Sequence, residues 1–171
     1  MAGRDIINTT INNAVASGHV EALLVKLKKQ IEDDDQARET IDELTRYHSR
    51  KAADGVVGLE AKLEAANLRH TYLEAIEQKE MFVKLLERYA LYSSAQQIFA
   101  HFLSKAENRF KYVIHPEVCK RTESEINSMI IANIVDPIIE ECGSDVFTMS
   151  YDHVFGMVYW LAEQCFIRWH R

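Results

Sequence analysis

The run FVKLLERYALYSSAQQIFAHFLSKAENRF, residues 82–110, decides the fold class of this 171-residue chain. Its apolar residues recur at intervals of three and four, which is the spacing of one face of an α-helix. Ser93 and Ser94 interrupt the pattern, and Gln96 and Gln97 follow them by three residues each, so either serine can open a new helix with a capping box. The run therefore predicts two helices joined at a bend.

Helical spacing continues toward the C-terminus. The block TESEINSMIIANIVDPIIEE, residues 122–141, opens with a capping box formed by Thr122 and Glu125. Pro137 predicts a kink inside this block, because proline has no backbone N–H to donate, and Gly143 predicts the end of the helix. We predict an all-α fold of about six helices in a compact bundle.

Two stretches depart from this pattern and divide the chain. AGRDIINTTINN, residues 2–13, is rich in Asn, Thr and Ile and predicts a short extended, β-prone segment over residues 1–13. ADGVVG, residues 53–58, contains two glycines and predicts a linker. We expect a helical hairpin over residues 14–52 and the main helical domain over residues 59–171.

Composition limits the classes of function. An apolar content of 47% is enough to bury a core, and 20 basic against 26 acidic residues give a net charge of −6. This balance argues against direct sequence-specific nucleic-acid binding, because phosphate contacts need clustered Lys and Arg. No apolar run approaches the length of about 18 residues that a membrane span needs, so we expect a soluble, cytoplasmic protein that binds no membrane.

Residues with catalytic or metal-binding chemistry are scattered. The seven histidines and three cysteines show no metal-ligand spacing, so we predict no metal and no cofactor. Arg109 and His115, in RFKYVIH, resemble the Arg-then-His signature of HEPN-type ribonucleases, where an imidazole acts beside a cation that stabilises charge. The alternative is a surface arginine and a histidine at a helix end, since Pro116 follows directly.

The C-terminal part is rich in aromatic residues. Such a group can form a ligand-binding platform, but aromatic side chains at helical spacing more often form a core or a protein interface. Our candidate partner-binding residues combine four of these rings with three N-terminal isoleucines: Tyr159, Trp160, Phe166, Trp169, Ile6, Ile7 and Ile11.

Three blocks carry a family resemblance. Residues 82–110, residues 122–141 and GMVYWLAEQCFIRWH, residues 156–170, resemble the C-terminal domains of bacterial ABC-three-component systems, which are related to the Lamassu type of antiphage system. The opening AGRDIIN resembles a short ribbon that precedes effector-associated modules in such proteins. The resemblance covers roughly residues 2–10 and 60–170.

The resemblance implies a non-enzymatic accessory or adaptor subunit. Such a subunit would dock on an SMC-like ABC ATPase, on an effector or on its own copy, and any cutting activity would belong to another chain. An extended N-terminal segment can add to the edge of a partner's sheet, with Ile6, Ile7 and Ile11 specifying the pairing. The alternatives are a disordered leader at this end and, for the whole chain, a self-associating scaffold.

Overall fold

Helices make up most of the described chain. The computed structural model describes residues 4–48 and 50–170, with the side chains of residues 4–17 left out of the description. The helices are α1 (Arg4–Glu32), α2 (Asp42–Thr45), α3 (Leu59–Ala65), α4 (Tyr72–Tyr89), α5 (Ser93–Arg109), α6 (Glu123–Ile130), α7 (Asp136–Cys142) and α8 (Tyr151–Glu163). The described residues contain no strand, and the prediction of an all-α fold is confirmed.

Helices α4 and α8 form the closest pair in the bundle. A side chain at Gly156 would place its Cβ 1.9 Å from the backbone oxygen of Gln78 on α4, so only glycine permits this approach. Beside this contact, the rings of Phe82 and Trp160 meet edge to face with centroids 5.9 Å apart. Both rings are buried, and the pair belongs to the core that α5 also lines.

Helix α6 continues into α7 through a π-helical turn, Ile131–Val135. The N–H of Asp136 donates to the carbonyl of Ile131, five residues back. This wider turn directly precedes Pro137, which has no N–H for the regular ladder. The irregularity predicted at Pro137 takes the form of this turn, and α7 ends at Gly143, whose φ of 63° favours glycine.

Helix α1 packs along α5 and also contacts α7. Its buried face consists of Val20, Leu23, Leu24 and Leu27. The bounds of α1 reach back to Arg4, where we expected an extended segment. Residues 1–3 and the side chains of residues 4–17 lie outside the part of the chain that the structure describes. The extended segment over residues 1–13 therefore stays a prediction.

The second arm of the predicted hairpin is a single helical turn, α2, which packs on α5. Residues before it bind the main body with their backbone: the Ala37 N–H donates to the Leu91 carbonyl at 2.6 Å, and the Ile41 N–H donates to Gln96 Oε1 at 2.7 Å. Because these backbone N–H groups have acceptors in and beside α5, the segment does not need a second long helix to satisfy them. The division into residues 14–52 and 59–171 stays a prediction.

Candidate functional site: a cationic cavity beneath the C-terminal tail

Residues 164–170 leave α8 and fold back as a C-terminal tail. The turn is a Schellman motif, in which the Cys165 N–H donates to the Ala162 carbonyl at 3.0 Å and the Phe166 N–H to the Leu161 carbonyl at 2.8 Å. Cys165 occupies the left-handed position of this motif, with a φ of 64°. The motif directs the tail back over the bundle.

Aromatic rings dock the tail. Trp169 lies between Phe110, at a centroid distance of 5.0 Å, and Tyr159, at 5.4 Å. Phe166 packs against Tyr47 with centroids 4.8 Å apart. The tail therefore contacts both the main bundle and the segment around α2.

Asp54 fastens the end of the tail to the linker. Its Oδ2 accepts hydrogen bonds from Arg168 at 2.7 Å and His170 at 2.9 Å, and its Oδ1 accepts one from the Val56 N–H at 3.0 Å. The Arg168 bond, followed by the His170 and Val56 bonds, holds the Asp54 pKa far below its usual range. His115 Nε2 donates to the His170 carbonyl at 3.0 Å, which adds a second attachment.

A cavity of about 300 Å³ lies beneath the tail. The linker, α3, the start of the π-helical turn Phe110–Ile114 and the tail all contribute to its walls. Its charged lining consists of Arg50, Lys51, Lys62, Lys111, Arg168 and Asp54. The cavity therefore gathers five cations and one carboxylate in a chain whose net charge is −6.

Two buried carboxylates elsewhere in α5 and α7 are paired within the bundle. Glu107 accepts from Arg46 at 3.0 Å and from the Tyr47 hydroxyl at 3.1 Å; burial, and then the charge of Glu107, raises the pKa of Tyr47 to about 12. Glu141 accepts from His101 at 3.0 Å and Lys105 at 2.6 Å.

For Glu141, burial opposes the charged form. The hydrogen bonds from His101 and Lys105 outweigh this effect and lower the pKa of its carboxyl. A buried carboxylate that accepts from a lysine ammonium group and a histidine ring is satisfied by these hydrogen bonds. These clusters join α5 to α7 and to the turn after α2, and the carboxylates of Glu107 and Glu141 are both engaged as hydrogen-bond acceptors.

The two residues of the ribonuclease hypothesis have different surroundings. Arg109 is exposed at the end of α5. His115 is half-buried, lines the cavity and uses Nε2 to bind the tail. A catalytic role for Arg109 and His115 stays a prediction.

Three of the four predicted aromatic contact residues are buried within the chain. Trp160, Phe166 and Trp169 are at most 9% exposed, and Tyr159 is half-buried. The three buried rings therefore belong to the core of the chain. A partner-binding role for the four residues stays a prediction. The predicted Ile6, Ile7 and Ile11 lie outside the described side chains.

The sequence reasoning missed Lys62. This lysine is 2% exposed, and its Nζ donates to the carbonyl of Ala162 near the C-terminus of α8. The available signal was its spacing: Lys62 follows Leu59 by three residues and therefore shares the apolar face of α3. Within the described side chains, no group of three His, Cys, Asp or Glu residues is suited to hold a metal ion.

The geometry defines an all-helical domain whose tail encloses a cationic cavity. In its described part no helix has the length and apolarity needed to cross a bilayer. Residues 58–169 match C-terminal domain 9 of the ABC-three component (ABC-3C) systems. The chain belongs to this family and is a component of such a system. Comparison with curated proteins and with solved structures finds no match.

Proposed function

We propose that the chain is a non-enzymatic assembly subunit of a bacterial antiphage defence complex, acting in the cytoplasm. In this complex it binds an SMC-like ABC ATPase or an effector subunit. Family membership carries the proposal: the match extends from Gly58 to Trp169 and so includes α3 to α8 and most of the tail. A domain that belongs to multi-component systems is expected to work through its protein contacts.

The paired charges support a structural role for this domain. Glu107 and Glu141 each join an α-helix to another part of the chain, with side chains that are 8% and 6% exposed. The carboxylates are buried although their partners are partly exposed, and removal of a partner would leave a buried carboxylate without its hydrogen bond, so the pairs oppose movement of the elements that they join. A rigid body is suited to present a surface to another subunit.

Helix α1 lies outside the family match and has its own attachment to α5. The Oε1 of Gln30 accepts from the Ser94 N–H at 3.1 Å, and its Nε2 donates to the Ser93 hydroxyl at 2.9 Å. On another face of α1, Val25 is 69% exposed. In our proposal the partner contacts α1 and the N-terminal segment, including Ile6, Ile7 and Ile11.

The first test is a tagged pull-down from the native host, followed by mass spectrometry. It compares the full chain with a version lacking residues 2–13 and with Val25→Glu, at matched expression. Val57→Glu is the control, because Val57 is 68% exposed in the linker, outside the proposed contact. We expect an ATPase or effector to co-purify with the full chain and the control, and to be lost from the other two versions.

Other outcomes separate the alternatives. Recovery of the same partner by all versions would contradict the N-terminal contact, and the absence of any partner would contradict the assembly role. Stable oligomers of the purified chain, without another protein, would favour the self-associating scaffold. RNA cleavage by the purified chain that is abolished in His115→Ala would contradict the non-enzymatic assignment.

A further inference from the structure

We propose that the cavity beneath the C-terminal tail binds a small phosphorylated ligand of about nucleotide size. This inference is independent of the assembly role. The cavity is bounded by Phe110, Phe166 and Ile167 on its apolar part and by the five cations named above on its polar part.

Lys62 is the central observation. Its side chain lines the cavity although the residue is only 2% exposed. Its Nζ donates one hydrogen bond, to the carbonyl of Ala162, and within the described residues no carboxylate oxygen lies within 4.0 Å of it. An ammonium group has three donors, and a buried cation is stable only when it is paired or well hydrogen-bonded. An anion in the cavity would supply the missing partner.

The cavity stays positive after Arg50 is paired with Glu107, whose carboxylate lies 3.9 Å away, because Lys51, Lys62 and Lys111 remain. Asp54, the only acidic residue of the lining, is occupied by Arg168 and His170. Lys51 and Lys111 also line the cavity, and neither has a salt bridge among the described residues. A concave site lined by charges of one sign concentrates ions of the opposite sign, here anions, because low-dielectric walls focus the field.

The class of ligand follows from the size and the apolar part. A volume of about 300 Å³ lies at the lower end of small-molecule sites and far exceeds the space that a single phosphate needs. Lysine ammonium groups bind phosphate as point charges. The rings of Phe110 and Phe166 and the side chain of Ile167 can contact a base or another apolar group.

The test is isothermal titration of the full chain with adenosine 5′-monophosphate in low-salt buffer. We expect saturable binding that weakens as salt is added, because exposed charges are screened. Lys111→Glu and Lys51→Glu should each weaken the affinity by about tenfold or more, since a charge reversal removes an attraction and adds a repulsion. Lys84→Glu, an exposed lysine on α4 outside the cavity, is the charge-matched control and should bind like the wild type.

Lys62→Met tests the buried lysine while preserving its aliphatic stem. We expect it to abolish binding, and its thermal unfolding is measured first to establish that it folds. If it does not fold, the two exposed variants decide the result. The absence of saturable binding, or equal affinities for the lysine variants and the control, would overturn the proposal. If inorganic pyrophosphate binds as tightly as adenosine 5′-monophosphate, the proposed apolar contact is wrong. If a single-stranded oligonucleotide binds more tightly than adenosine 5′-monophosphate, the small-molecule assignment is wrong.

Discussion

Gly156 sets how closely α8 approaches α4. The nearest obstacles to a side chain there are backbone atoms of Gln78, with its oxygen 1.9 Å and its carbonyl carbon 2.5 Å from the position of a Cβ. Backbone atoms in the middle of a packed helix cannot move as a flexible side chain does. The requirement for glycine therefore comes from helix packing, and a sequence pattern alone gives no sign of it.

We expect Gly156→Ala to lower the free energy of unfolding by about 3 kcal/mol, because the helices must separate to admit the methyl group. Urea denaturation measures the change. Gly18→Ala is the matched control: Gly18 is exposed on α1, and apart from its own stretch of helix no atom of the described side chains and backbone lies within 4 Å of the position that a Cβ would occupy, so alanine there should stabilise by up to about 1 kcal/mol. A Gly156→Ala protein as stable as the wild type would contradict the close approach.

Cys165 provides a second prediction at the residue scale. It adopts a φ of 64°, a region in which a residue with a Cβ is strained and glycine is not. We expect Cys165→Gly to stabilise the protein by about 1 kcal/mol in thermal or urea unfolding. Asn67→Gly is the comparison: Asn67 has a φ of 59°, but asparagine tolerates this conformation, so its gain should be smaller. A larger gain at Asn67 would contradict this explanation.

At the scale of the element, helix boundaries with a local signal were predictable and those without one were not. The capping box predicted at Thr122 forms with Glu125, and the structure shows a second local box between Ser150 and His153 at the start of α8. Helices α1, α3 and α8 end in Schellman motifs whose left-handed positions hold Asp34, Asn67 and Cys165. Because glycine is the usual residue at such an end and asparagine the less common one, the left-handed positions of Asp34 and Cys165 were not recognisable, whereas Asn67 is of a residue type that fits.

The start of α5 shows why the remaining contacts were not predictable. We expected Gln96 or Gln97 to close a local capping box with a serine. In the structure the side-chain oxygen of Gln30, from α1, accepts from the Ser94 N–H. The side chain of Gln96 accepts from the Ile41 N–H and donates to the Ala90 carbonyl at 2.7 Å. Partners more than fifty residues away depend on the tertiary fold, and a local pattern cannot reveal them.

The cap of α8 predicts a dependence on pH. Ser150 Oγ accepts from the His153 N–H, and His153 Nδ1 accepts from the Ser150 N–H at 3.1 Å, which requires a neutral imidazole. Burial lowers the pKa of His153, against the smaller opposing effect of Asp152. The unfolded chain therefore takes up this proton first, so the stabilisation is complete above about pH 6.5 and is lost as the pH falls through the lowered pKa.

His153→Gln isolates this effect, because glutamine can close the same capping box without titrating. We expect the wild type to lose about 1 kcal/mol more stability than this variant when the pH is lowered from about 7.5 to about 5.5. Thermal unfolding at both pH values gives the double difference, in which the other histidines cancel. Equal losses in the two proteins would contradict a titrating cap.

At the scale of the whole molecule, the tail joins parts of the chain that are distant in sequence. Phe166 contacts Tyr47, Arg168 binds Asp54, and Lys62 binds the end of α8 beneath them. The cationic cavity arises only from this assembly, since its lysines are separated in sequence. Helical periodicity could predict the bundle, but it could not predict which polar residues the returning tail would enclose.

These contacts predict that the chain unfolds as one cooperative unit despite the glycine-containing linker. Tyr47 precedes the linker, is 2% exposed, packs on Phe166 and donates to Glu107. The two tryptophans, Trp160 and Trp169, both follow the linker, so their fluorescence reports only on the main domain. A substitution at Tyr47 therefore tests whether the two parts are coupled.

We expect Tyr47→Ala to reduce stability by about 3 kcal/mol, the usual cost of removing a buried aromatic ring. For a chain of this size that corresponds to a fall of about 6–12 °C in the tryptophan-detected Tm. Val25→Ala, on the exposed face of α1, is the control and should leave the Tm nearly unchanged. If Tyr47→Ala leaves the tryptophan transition in place while helical signal is lost at a lower temperature, residues before the linker fold as a separate unit and the cooperative description is wrong.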